Sequence, residues 1–67
     1  MSQPSLSVVQ NYINQYRSDE LDKDTMSDII ENVYEMTVGF TMDNILFTYN
    51  DAVVYYRNNN SLDGFEI

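Results

Sequence analysis

Between Met42 and Arg57 the sequence MDNILFTYNDAVVYYR repeats its apolar residues with the period of an α-helix. At about 100° per residue, Met42, Ile45, Leu46, Tyr49, Ala52, Val53 and Tyr56 fall on one arc of roughly 120°. Asp43, Asn44, Thr48, Asn50, Asp51 and Asn58 avoid that arc. Phe47 and Val54, seven residues apart, make a second and narrower apolar line beside Asp43 and Asn50. A three-helix domain needs one core-facing stripe per helix, so the surplus line points to a partner.

The same stretch has a competing β reading. Ile45–Tyr49 and Ala52–Tyr56 are rich in β-branched and aromatic residues, and Asn50-Asp51 resembles a two-residue hairpin turn. With Val33–Thr41 as a third strand, Val33–Tyr56 becomes a small antiparallel sheet beside one helix, an α+β alternative. Against it, Ala52-Val53-Val54-Tyr55-Tyr56 does not alternate as a half-buried strand should. Asn-Asp is also a weaker hairpin signal than Asn-Gly or Asp-Gly. Periodicity outranks propensity, so the expectation is an all-α, small three-helix bundle.

Two further stripes support it. Leu6, Val9, Tyr12, Ile13 and Tyr16 line one face of a helix over Pro4–Arg17, with Pro4 suited to its first position. Ser18–Lys23 lacks periodicity and carries four charges, so it reads as a loop. A second helix over Asp24–Val38, capped by Asp24 or Thr25, aligns Met26, Ile29, Ile30, Val33, Met36, Thr37 and Phe40. The stripe then jumps in phase by roughly 160°, which a turn at Gly39–Thr41 corrects. Gly39 suits the position past a helix end and Thr41 suits an N-cap. Helices two and three therefore form an antiparallel hairpin, and Asn58-Asn59-Asn60 ends the last helix. The expected domain is 1–67, with residues 1–3 and 60–67 as tails.

Composition narrows the function. At 67 residues there is room for one core. The chain has neither cysteine nor histidine, which excludes disulfides and zinc sites of the usual kind. A small core without staples is commonly completed by oligomerisation, so a homodimer is expected. Eleven acidic residues against three basic ones give a net charge of −8. That balance argues against direct nucleic-acid binding, which needs Lys and Arg to displace counterions, and favours a partner with a basic surface. No apolar run approaches the 18 or so residues of a membrane span, and MSQPSLSVVQ is no signal region, so the expectation is a complete, cytoplasmic product.

On the second helix Asp24, Asp28, Glu31 and Glu35 form one acidic row about 16 Å long at 1.5 Å per residue. Asp19, Glu20 and Asp22 extend it. Such a row either imitates a phosphate backbone or is simply a solvated helix face. Glu20, Asp22, Asp24, Asp28 and Glu31 also fall at positions 1, 3, 5, 9 and 12 of a calcium-loop frame. Thr25 takes the place of the obligatory glycine, so no metal is expected. Tyr12, Tyr16, Tyr49 and Tyr56 lie on core stripes, whereas Tyr34 and Tyr55 lie off them and join Phe47 and Val54 as interface candidates. No cofactor motif and no catalytic constellation stands out, and an enzyme is not expected.

Ser61-Leu62, preceded by Asn60, locally resembles the Asp-Ser-Leu motif of acyl carrier proteins, but Asn60 replaces the Asp and the match covers only a few residues. In size, charge and lack of catalytic residues the chain resembles virus- or mobile-element-encoded inhibitors of nucleic-acid enzymes, such as DNA-mimic anti-restriction and anti-CRISPR proteins. The resemblance is of type, not of motif. It implies a small acidic inhibitor or regulator acting on a basic-surfaced enzyme, in the host cytoplasm if viral. The alternative is a structural oligomerisation or adaptor protein using Phe47 and Val54, with the charge serving solubility alone.

Overall fold

A computed structural model describes residues 3–16 and 21–67 as three helices. They are α1 (Leu6–Tyr16), α2 (Lys23–Met36) and α3 (Met42–Asn59). Among the described residues there is no strand, so the sheet alternative over Val33–Tyr56 is set aside. The β-formers of α3 are held helical by what their periodic face buries.

The buried residues follow the expected phase. Val9 and Ile13 come from α1, Met26, Ile29, Ile30 and Val33 from α2, and Ile45, Tyr49, Ala52 and Val53 from α3. The α2–α3 hairpin makes the most extensive contact, and α1 packs on both. Leu6, Leu21, Phe40, Met42, Leu46 and Tyr56 surround this core half-buried.

Helix ends are set by side chains. The Ser5 Oγ accepts the Val8 N–H at 3.4 Å, so α1 begins at Leu6 and not at the expected Pro4, while Arg17, its expected end, lies outside the described residues. α2 begins earlier than Asp24. The Asp22 carboxylate accepts the Thr25 N–H at 3.3 Å and the Thr25 hydroxyl at 2.6 Å. Asp22 is thus the N-cap, and Asp24 falls in the first turn, where a carboxylate favours the helix dipole. α2 also stops at Met36, short of the expected Val38. The fully buried Thr37 donates its hydroxyl back to the Val33 carbonyl at 2.7 Å. Gly39 then turns the chain at φ 85°, and the Thr41 hydroxyl caps α3 through the Asn44 N–H at 3.3 Å. Asn60 closes α3 in the left-handed region at φ 58°.

Residues expected as tails take part in the fold. The Gln3 amide donates to the Tyr34 and Thr37 carbonyls at 2.8 and 3.4 Å, meeting acceptors at the end of α2. Leu62 and Phe65 pack half-buried against the core. The Tyr55 hydroxyl donates to the Asp63 carbonyl, and its ring meets Phe65 at 5.4 Å.

Candidate interaction surfaces

α2 carries the acidic row. Its buried stripe fixes Met26, Ile29, Ile30 and Val33 inward, and the helical period then turns Asp24, Asp28, Glu31 and Glu35 outward. All four are exposed. Of the expected extension, Asp22 is committed to the cap, and its pKa is lowered chiefly by the hydrogen bond from the Thr25 hydroxyl. Asp19 and Glu20 lie outside the described residues. The calcium-loop frame fails on geometry. Because α2 starts at Lys23, Asp24, Asp28 and Glu31 are strung along a helix and do not encircle a point. Among the described residues no group of three or more acidic side chains could hold a metal ion.

The surplus apolar line lies on the outer face of α3. Phe47 is 69% and Val54 59% exposed, so the fold has no use for either. The tyrosine candidates separate differently. Tyr34 is half-buried against the core and donates its hydroxyl to the Pro4 carbonyl at 2.8 Å, which makes it a tie between α2 and the N-terminal segment. Tyr55 is half-buried too, yet one edge borders a groove on the α3 surface. Tyr16, expected in the core, is 59% exposed and rests on Tyr12 at 4.8 Å. It sits at the last position of α1.

Depressions mark the surface of the described residues. One of about 220 Å³ between α1 and α2 is lined by Gln10, Asn11, Asn14, Lys23 and Ser27 over Met26 and Ile30. A second, of about 260 Å³, sets Asp28 and Asn32 of α2 opposite Tyr56, Leu62 and Asp63. A third, of about 550 Å³, runs between α3 and the 61–67 segment, with Val54, Tyr55 and Phe65 as its apolar lining and Asp51 and Glu66 among its polar lining. Sequence reasoning missed this groove because it treated 60–67 as a tail. The available signal was Leu62 and Phe65 flanking Asp63-Gly64, a turn pair between two apolar residues.

No protein-family model matches the chain, and searches of curated proteins and of solved structures found no match either.

Proposed function

We propose that the protein is a small acidic binding module that inhibits or regulates a partner with a basic surface, through the carboxylates of α2. One observation carries this reading. Asp24, Asp28, Glu31 and Glu35 are all exposed on a single uninterrupted helix whose opposite face is anchored in the core. The charges are therefore pre-positioned, and a partner need not order them on binding. Steps of four, three and four residues place them about 4.5–6 Å apart along the axis. A DNA strand carries one phosphate per 3.4 Å of axis, so the row is sparser than a true backbone. As a nucleic-acid mimic it draws on the net charge of −8 for long-range attraction and on the row for register.

The test is capture of partners from a nuclease-treated host lysate by wild type and by Asp28→Asn with Glu31→Gln, at low and high salt. A partner retained by wild type at low salt and lost with the double substitution supports the reading. Equal retention by both proteins reduces the row to a solvated face.

The exposure of Phe47 and Val54 favours a second reading, an adaptor or self-associating module that joins chains through α3. Its binding would be insensitive to ionic strength, whereas that of an electrostatic partner falls steeply.

A further inference from the structure

We propose that the groove between α3 and the 61–67 segment is a docking site for a cationic amphipathic helix of another protein. In this arrangement an apolar side chain of the partner enters between Val54 and Phe65, while Lys or Arg meets Asp51 and Glu66. The inference does not rest on the α2 row, since it uses a different helix and different carboxylates.

The groove has a fixed wall. After Asn60 turns the chain at φ 58°, the Asp63 N–H is held by the Ser61 hydroxyl at 3.0 Å and the Phe65 N–H by the Leu62 carbonyl at 2.9 Å. Leu62 packs against the core, and Tyr55 fastens the segment through its hydroxyl to Asp63 and through its ring to Phe65. A wall held at so many points is shaped before any ligand arrives, which lowers the entropic cost of binding.

Its size and chemistry select the occupant. The volume of about 550 Å³ lies in the range of ligand sites, but the depression is shallow and broadly open to solvent, as suits a macromolecular segment. It follows α3 from Asp51 to Asn59, about 12 Å or two helical turns. That length suits a helix laid along it with anchors one or two turns apart. Phe47 extends the apolar line by another two turns beyond Val54. Of the lining residues, Asp51 and Glu66 are charged and none is basic. A second copy of the chain would bring the same acids and another −8 against them, so charge complementarity favours a cationic partner over self-association.

The test uses the full chain, labelled with ¹⁵N, and a synthetic amphipathic peptide of leucine and lysine about four turns long. A scrambled peptide of the same composition, with no apolar face, is the control. The expected result is amide shifts over 51–59 and 64–66 with the amphipathic peptide alone. Val54→Asn, exposed and so compatible with folding, should weaken binding about tenfold. Asp51→Asn with Glu66→Gln should do the same at low salt and much less at high salt. Equal binding of the scramble, or no shifts at about millimolar peptide, overturns the proposal. Shifts confined to Asp24–Glu35 also overturn it, while leaving the α2 reading standing. Concentration-dependent shifts of the groove amides without peptide, matched by a dimer in sedimentation, assign the groove to a second copy instead.

Discussion

Gly64→Ala tests whether the C-terminal segment is fastened as described, and Gly39→Ala is its internal standard. The two glycines have nearly the same backbone, φ 86° and φ 85°. Alanine in the left-handed region costs about 1–2 kcal/mol, offset by about 0.4–1 kcal/mol from restricting the unfolded chain. At Gly39 nothing lies within 4 Å of an added Cβ, so about 1 kcal/mol is the whole effect. At Gly64 the Cβ would sit 2.9 Å from the Tyr55 hydroxyl, closer than real contacts allow. Relief shifts that hydroxyl, the far end of the Tyr55 side chain, which costs up to about 0.5–1.5 kcal/mol in its bond to the Asp63 carbonyl and up to about 0.5–1.5 kcal/mol in the ring contact with Phe65. The upper limit is the docking energy of the segment itself, since beyond it the chain from Ser61 onward detaches.

Gly64→Ala should therefore cost more than Gly39→Ala, by up to roughly 1–2 kcal/mol. At about 4–8 °C per kcal/mol for a domain of this size, thermal melts resolve the difference. Urea titrations with a common m-value give the same comparison at 25 °C. Tyr55→Phe supplies the decisive arm. Without the hydroxyl the added methyl meets nothing at that distance, and the cost of Gly64→Ala should fall to that of Gly39→Ala. Equal costs for the two glycines in the wild-type background, or a double-mutant coupling below about 0.5 kcal/mol, would refute the latch.

Ile45→Ala removes a fully buried side chain at a cost of about 2–5 kcal/mol, comparable to the roughly 3–10 kcal/mol available to 67 residues, so much of the far-UV helical signal should vanish at 37 °C. The Asp22 carboxyl has a pKa below its ordinary value, so its contribution is present above the ordinary carboxylate pKa and is lost as pH falls through the lowered one. Asp22→Asn should accordingly flatten the acid limb of the stability profile below about pH 4. The Tyr12 hydroxyl donates to Asp43 at 2.7 Å, which raises its pKa above 10.0, so its contribution is complete below pH 10.0 and disappears as pH rises through the raised value. In absorbance titration Tyr12→Phe should remove a late-ionising phenol. Phe47→Asp leaves an exposed position exposed, so helicity should persist; if wild type sediments as a dimer and the variant as a monomer, the self-association reading gains, and a wild-type monomer at high concentration refutes it.

The three stripes were legible because burial repeats every 3.6 residues and a chain without cysteine has no disulfide to compete with it. Thr48 marks the limit of that reasoning. It was placed on the polar face of α3, yet it is buried, with its hydroxyl returned to the Asn44 carbonyl at 2.9 Å. A threonine that satisfies its own oxygen within the helix can present its methyl group to the core. Tyr34 and Tyr55 lie off the core stripes, yet both are half-buried, for a related reason. A helical wheel has no place for segments outside the helices, and both hydroxyls reach such segments, Tyr34 the Pro4 carbonyl and Tyr55 the Asp63 carbonyl. The cap of α2 lies at Asp22, ahead of the expected Asp24 or Thr25, because the Asp22 carboxylate takes both the N–H and the hydroxyl of Thr25, a pairing that helical periodicity does not encode. The exposure of Phe47 and Val54 and of the acidic row was readable, since an amphipathic helix has one inside. The α3 groove was not, because its second wall comes from residues that only a folded chain brings there.

The acids of α2 are not all explained by the stability of α2. Asp24 lies in the first turn, where the helix dipole favours a carboxylate. Glu35 lies in the last turn, where the dipole opposes it by about 0.3–1 kcal/mol, and that turn carries no basic residue to compensate. Asp24–Asp28 and Glu31–Glu35 are like-charge pairs at four-residue spacing, each unfavourable by about 0.2–0.5 kcal/mol. With the dipole terms of Asp24 and Glu35 offsetting each other, the row still costs the isolated domain about 0.4–1 kcal/mol, against the roughly 3–10 kcal/mol available to it. Solubility needs negative charge but no particular position for it, and placing Glu35 in the first turn of a helix would have served equally well. A cationic surface laid along α2 reverses the sign of each of these terms. Glu35 is therefore the residue that separates the two accounts. Glu35→Gln should stabilise the free protein slightly, by relieving the dipole and Glu31, while weakening the complex. A solvated face predicts the first effect alone.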